Sequence, residues 1–308
     1  MRLPLLPLLL FAALAACSQA PTANADDGAD LTAARAAAPA ETARGTQEGS
    51  AVPAPPPGVL ELVRYRAEPG ELAAYLTPRP SQPGKHPAIV WLTGGDSNSL
   101  GDVWSRQPRE NDQSAAALRQ AGIVVMYPSL RGGNDNPGLR EGFYGEVRDV
   151  LAAADYLAKL DYVDPQRIYL GGHSTGGTLA LLVAQSDARF RAVFAFGPTD
   201  DVAGYGGRFV PAGLTEEQLR LRSPGYWLDS IRSPVFTFEG DHDSNFEALE
   251  AMRRANNNPL AHWYLVPRTD HFSVLAPTSE LIARKILADT GARSAIAFEP
   301  AELDALVR

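Results

Sequence analysis

The pentapeptide Gly172-His173-Ser174-Thr175-Gly176 sets one hydroxyl between two glycines. Ahead of it Arg167-Ile168-Tyr169-Leu170-Gly171 is β-branched and aromatic, the pattern of a short buried strand. Behind it the chain from Gly177 to Ala184 turns small and then apolar, the pattern of a buried helix. Strand, G-x-S-x-G, helix is the context in which a serine stands on a sharp turn with its hydroxyl presented. The glycines allow strained dihedrals and let the helix approach the strand closely. Ser174 is therefore read as a nucleophile. A serine hydroxyl is too weakly acidic to attack unaided, so a base and an orienting carboxylate must follow. In this arrangement they come in the order Ser, Asp or Glu, His, each after a strand. Ser233 to Phe238 reads as a strand and ends in Glu239-Gly240-Asp241-His242-Asp243. Ala261 to Pro267 reads as another and ends in Arg268-Thr269-Asp270-His271. His271 is the candidate base, and the acid lies among residues 239 to 243. His262 begins its strand and belongs at the opposite end of a sheet, His242 reads as a solvated loop residue, and His173 packs beside the nucleophile.

Strands and helices alternate around these residues. Val59 to Arg66 and Glu71 to Leu76, joined through Pro69-Gly70, read as an antiparallel hairpin. Then follow strands at 88–92, 123–127, 167–170 and 192–196, with helices at 113–120, at 142–160 and after the elbow. Such alternation implies right-handed crossovers and a mostly parallel sheet with helices on both faces. Active residues should line the carboxyl ends of its strands, where Ser174, the acidic loop and His271 all fall. Residues 198–232 interrupt the pattern with Tyr205, Phe209, Pro211, Leu219, Tyr226 and Trp227, and are expected to form a small cap walling the substrate pocket.

Several segments resemble the prolyl oligopeptidase group of α/β-hydrolases. They are Tyr127-Pro128-Ser129-Leu130-Arg131-Gly132-Gly133, Asp155-Tyr156-Leu157, Asp164-Pro165-Gln166-Arg167-Ile168, the Gly-His-Ser-Thr-Gly-Gly elbow, and Arg222-Ser223-Pro224 through to Gly240-Asp241-His242-Asp243. The likeness covers roughly residues 85–290 and implies an α/β-hydrolase fold. In that family's Gly-x-x-Asp pattern the acid falls on Asp243 and the closing histidine on His271. Glu239 stands where the family usually has a histidine, and so competes for the orienting role. The family's His-Gly-Gly is Thr93-Gly94-Gly95 here. The oxyanion donors are expected to be the backbone N–H of Thr175, next to the nucleophile, and that of Gly95 in the loop after the third strand. Larger members carry a β-propeller ahead of the hydrolase, and the composition before Val59 does not suit one.

The front of the chain bears on location. Met1-Arg2 precedes an apolar run from Leu3 to Ala16 that is too short to span a bilayer. It ends in Leu14-Ala15-Ala16-Cys17, which resembles a bacterial lipobox, and Cys17 is the chain's single cysteine. With no partner for a disulfide, Cys17 is expected to be a lipidation point closing a signal peptide of residues 1–17. The alternative is cleavage after Ala23-Asn24-Ala25. Ser18 after the cysteine implies outer-membrane sorting by the same resemblance. Residues 18–58, rich in Ala and Pro without periodicity, are expected to be a disordered tether, and 59–308 the hydrolase domain.

Charge and spacing exclude other classes. The formal net charge of −8, with dispersed arginines, argues against a nucleic-acid binder. An EF-hand beginning at Asp241 would need Gly and Glu where Phe246 and Met252 stand, and no His-x-x-x-His or paired-cysteine spacing suits zinc. The elbow is no phosphate loop, since Thr178 stands where lysine would be needed. No metal and no cofactor is expected. The expectation is a lipid-anchored, envelope-facing serine hydrolase acting on a small peptide or ester through an acyl-enzyme, with a carboxylesterase as the nearer alternative and a non-catalytic envelope binding lipoprotein as the remoter one.

Overall fold

The computed structural model of the protein describes residues 30–38, 45–242 and 244–307. Cys17, with the signal peptide expected around it, and Asp243 lie outside these described residues.

The framework is one eight-stranded sheet. A hairpin of β1 (Glu61–Ala67) and β2 (Gly70–Leu76) opens it, with Ala67 opposite Gly70 across the turn. Then come β3 (His86–Leu92), β4 (Val124–Pro128), β5 (Val163–His173), β6 (Val193–Phe196), β7 (Val235–Gly240) and β8 (Ala261–Val266). Their spatial order is β1-β2-β4-β3-β5-β6-β7-β8. The pairs β1–β2 and β2–β4 are antiparallel, and every pairing from β4 to β8 is parallel. Parallel strands need crossovers, and the crossovers cover both faces, so the central strands read as unbroken apolar runs. Alternation survives in where the side chains go. Ala88, Val90 and Leu92 of β3 enter one core while Ile89 and Trp91 enter the other; on β6, Val193 and Ala195 part from Phe194 and Phe196 in the same way.

The first face is covered by α1 (Leu31–Ala37), α3 (Glu146–Ala158), α4 (Thr175–Ser186) and α6 (Phe246–Ala255). The second is covered by α2 (Ala116–Gln120), α7 (Leu275–Ala288) and α8 (Pro300–Asp304). Between β6 and β7 lie short 3-10 turns and α5 (Glu216–Arg220), whose Thr215 cap exchanges bonds with Gln218. Val202, Leu221, Trp227 and Leu228 anchor this cap in the first core. The expected strands are present, with the elbow strand longer than its apolar centre. The helix expected over 142–160 begins only at Glu146, because Gly142 and Phe143 both take positive φ.

The segment expected as a tether carries ordered structure. Asp30 caps α1 by accepting from the Ala33 N–H at 3.0 Å, and Leu31 is fully buried. Arg35 donates to the carbonyls of Phe143 (2.9 Å), Tyr144 (3.2 Å) and Leu221 (2.8 Å) and lies over the Tyr144 ring. Further on, Glu48 N–H and Gly49 N–H donate to the carbonyls of Gly132 and Asn134, and the Thr46 carbonyl accepts from Arg140 N–H. Average composition hides this docking, because it rests on a capping aspartate, one leucine, one arginine and backbone groups. Among the described residues no helix is long and apolar enough to cross a membrane.

Candidate active site

Ser174 sits between β5 and α4 with φ 55° and ψ −115°, a conformation unfavourable for a residue with a Cβ. Its backbone is pinned: Ser174 N–H donates to the Phe196 carbonyl at 2.7 Å, and its carbonyl accepts from Thr178 N–H at 2.9 Å and from the Thr178 hydroxyl at 3.2 Å. The flanking glycines are needed for space. A Cβ at Gly172 would lie 2.4 Å from the Gly176 carbonyl oxygen, and one at Gly176 would lie 2.3 Å from that of Leu92. The strained turn is held by packing on either side of it.

His271 lies in the loop between β8 and α7. Its Nδ1 is 3.0 Å from Glu239 Oε2. A carboxylate can only accept, so Nδ1 carries the proton and Nε2 keeps a lone pair for a proton from a nucleophile. Glu239, next to last in β7, is fully buried, and its position is fixed from its own backbone side. Gly240 N–H donates to Oε1 at 2.8 Å and Asn245 N–H to Oε2 at 3.3 Å. Gly197, at the end of β6, makes room for the pair: a Cβ there would meet His271 Cε1 at 2.4 Å and Glu239 Oε2 at 2.7 Å. Asn245 Nδ2 donates to the Gly197 carbonyl at 3.2 Å, closing the group. The carboxylate that His271 meets is thus Glu239, the competitor. Asp243, where the Gly-x-x-Asp register puts the acid, lies outside the described residues.

His173 takes no part as a base. It is fully buried, its ring 4.6 Å from that of His271, and its Nε2 donates to the His271 carbonyl at 3.0 Å. Burial, and then the proximity of His271, pulls its pKa down to about 3, so it stays neutral and props the His271 loop. His262 stacks on Phe236, lower in the sheet, and His242 pairs with Asp241 at the surface.

The two expected oxyanion donors meet at one wall. Thr175 is the first residue of α4, so its N–H has no intrahelical acceptor and stands at the positive end of the helix dipole. Its hydroxyl donates to the Gly95 carbonyl at 2.9 Å, tying the elbow to the loop after β3. Gly95 has φ +72°, which favours glycine. Both residues line a cavity of about 330 Å³ whose other walls include Phe143, Arg140 and the cap residues Arg208 and Phe209. Thr46, from the strap ahead of β1, borders the same cavity.

One contact was not read from sequence as a site feature. The hydroxyl of Tyr205, on the cap, lies 2.8 Å from Thr178 Oγ1, and the Thr178 hydroxyl in turn donates to the Ser174 carbonyl at 3.2 Å. Burial pushes its pKa up to about 12, leaving a neutral phenol. Its ring stacks on Phe143 and meets the edge of Phe209. The aromatic run of the cap was the available signal, but it does not single out Tyr205. Among the described residues no group of three or more His, Cys, Asp or Glu could hold a metal ion.

The chain is similar to known proteins in sequence and in fold. The uncharacterized peptidase YtmA of Bacillus subtilis is 28% identical over 216 residues, 64% of this chain and 80% of that protein. Dipeptidyl-peptidase 5 of Porphyromonas gingivalis is 26% identical over 227 residues, again 64% of this chain but 32% of that protein. Among solved structures, the acylaminoacyl peptidase of Pyrococcus horikoshii superposes with a TM-score of 0.60 at 15% identity, covering 79% of this chain and 43% of that one. The chain therefore spans most of the first relative but only a third of the second, and the solved structure speaks for the fold, that of an α/β-hydrolase. Residues 109–280, more than half of the chain and the stretch that contains Ser174, Glu239 and His271, match the prolyl oligopeptidase family, to which this chain belongs.

Proposed function

We propose that the protein is a serine peptidase or closely related acyl hydrolase that works through an acyl-enzyme on Ser174. The observation that carries this reading is the buried Glu239–His271 bond at the carboxyl ends of β7 and β8, beside a strained elbow serine. In the reaction Ser174 Oγ attacks the acyl carbonyl as His271 Nε2 takes its proton. Glu239 holds the imidazole in the required tautomer and offsets the positive charge that forms. The N–H groups of Thr175 and Gly95 stabilise the oxyanion, at an N-terminal helix end where partial positive charge already stands. His271 then passes the proton to the leaving group, and water releases the acyl chain by the same steps. Membership of the prolyl oligopeptidase family favours a peptide amide over an ester as the scissile bond.

The test is labelling by a serine-directed fluorophosphonate followed by turnover of matched peptide and ester panels. Labelling that requires Ser174, with hydrolysis of short peptides, is the expected result. Absence of labelling in folded protein would overturn the reading and favour a binding protein that retains the fold.

The lipobox-like Leu14-Ala15-Ala16-Cys17 supports a second proposal: a mature chain beginning at Cys17, acylated and held at the outer membrane of the envelope. Mass spectrometry of the mature N-terminus and detergent partitioning test it. A soluble form beginning at Asp26 would replace it with the other cleavage site.

A further inference from the structure

The cavity beside the oxyanion wall carries two arginines in different circumstances. Arg140 is engaged: it donates to Glu48 at 3.0 Å, Asp96 at 2.8 Å, Ser99 at 2.8 Å and the Gly132 carbonyl at 3.2 Å. Its charge is met by the two carboxylates nearest to it. Arg208 is not engaged in this way. Its guanidinium carbon lies 5.0 Å over the Phe209 ring, and among the described residues no carboxylate pairs with it. A cation resting on an aromatic face keeps its N–H donors free for a further partner. Neither Ser174 nor His271 borders this cavity, whereas Thr175 and Gly95 do, so it extends from the oxyanion toward the acyl part of a substrate and away from the proton-transfer side. Phe143, Phe209 and Val210 give the cavity an apolar wall, and Arg208 stands exposed on the same stretch of chain. At Gly206 and Gly207, just before it, an added Cβ would meet nothing within 4 Å, so the loop has room to bring the guanidinium onto a ligand.

We infer that Arg208 selects substrates whose acyl portion carries a carboxylate, an acidic side chain or an acidic N-acyl group, placed beyond an apolar spacer that packs on Phe143 and Phe209. The inference rests on the hydrolase reading above and adds to it the charge of the preferred acyl group. Guanidinium and carboxylate match as a planar fork, which an ammonium would not reproduce. Asp96 lines the same space, and Arg140, which donates to it at 2.8 Å, keeps it from repelling the incoming anion.

The test compares the 4-nitrophenyl monoester of glutaric acid, which is anionic, with the neutral 4-nitrophenyl methyl diester of the same acid. In the wild-type protein kcat/KM for the anion is expected to exceed that for the neutral ester about tenfold, the size of one exposed charge-assisted hydrogen-bonded contact. The ratio should fall to about one in Arg208→Gln and below one in Arg208→Glu, and should shrink with added salt in the wild type. Thermal melting checks that each variant is folded. A ratio unchanged in folded Arg208→Gln, or a wild type without preference for the anion, overturns the assignment while leaving the hydrolase intact. Failure of the wild type to react with a fluorophosphonate would instead overturn the hydrolase reading, and this assignment with it.

Discussion

The site has a floor and a roof, and they are built on different terms. The floor consists of strand ends: Glu239 and His173 are fully buried, Thr175 nearly so, and each polar atom that matters is held by backbone groups of a neighbouring strand or loop. The roof consists of the strap ahead of β1, residues 30–38 and 45–50, and the cap between β6 and β7. It is fastened by side chains such as Arg35 and Arg140 and leaves Arg208 in solvent. Burial makes the floor's few hydrogen bonds strong and intolerant of change, since an orphaned group there cannot turn to water. Exposure makes the roof's contacts individually weak and exchangeable. Bond-breaking chemistry therefore belongs to the floor and selection to the roof, and substitutions should split along the same line.

The largest effects belong to the floor. Ser174→Ala should abolish fluorophosphonate labelling and lower turnover by about 10⁶, the loss expected for the nucleophile of a serine triad, with little change in thermal midpoint. Labelling that persists would move the nucleophile elsewhere. Glu239→Gln should cost about 10⁴ in acylation rate, because an amide fails to fix the histidine's tautomer or to offset its charge. Asp243→Asn should cost far less. Measured side by side in folded protein, the reverse ranking would return the orienting role to Asp243.

That pair of residues also shows what a sequence carries and what it hides. The elbow was legible because strand, glycine-flanked serine and apolar helix are local patterns, and so was His271, which simply follows a strand. The hairpin and the parallel strands were legible through β-branched runs bounded by turns. The acid stayed divided between Asp243 and Glu239, because register counts residues along the chain while a contact with His271 depends on reach. Glu239 stands one residue before the end of β7, one methylene longer than aspartate, where Gly240 N–H and Asn245 N–H aim at its oxygens and Gly197 leaves space for the imidazole. The space at Gly197 comes from the neighbouring strand, which no spacing rule contains. The strap escaped for a related reason: its docking uses backbone bonds to Gly132 and Asn134 and a single arginine, all inside an Ala- and Pro-rich background.

At the boundary between floor and roof, Arg35→Ala should leave the carbonyls of Phe143, Tyr144 and Leu221 without their shared donor. Losing such partly buried bonds costs about 1–3 kcal/mol, readable as a lower denaturant midpoint at unchanged slope. An unchanged midpoint would mean that the strap contributes nothing to the fold.

Acid should weaken the floor through His173. Its pKa in the folded protein is held at about 3, below the ordinary 6.5, by burial and by His271. The unfolded chain therefore binds more protons between those values, and stability must rise with pH across that window. The contribution is complete above about pH 6.5 and is lost progressively as pH falls toward 3. His173→Gln should flatten this part of the stability–pH curve, and a slope that survives the substitution would assign the acid sensitivity to other groups.

The smallest effect should come from a roof residue bonded to the helix that follows Ser174. Tyr205→Phe keeps the ring that stacks on Phe143 and meets Phe209, so the cap should remain in place. What is lost is a hydroxyl hydrogen-bonded to Thr178, whose own hydroxyl donates to the Ser174 carbonyl. Because the phenol is neutral, the bond is an ordinary one, contributing about 1 kcal/mol, and a fall in kcat of about fivefold is expected with KM little changed. A fall of 10² or more would show that the Tyr205 hydroxyl stabilises the developing oxyanion, and would make the cap part of the chemistry. An increase in kcat would show the opposite, that the phenol restrains the serine before attack. The fivefold outcome keeps Tyr205 as a positioning residue, acting through Thr178 on the turn that carries Ser174.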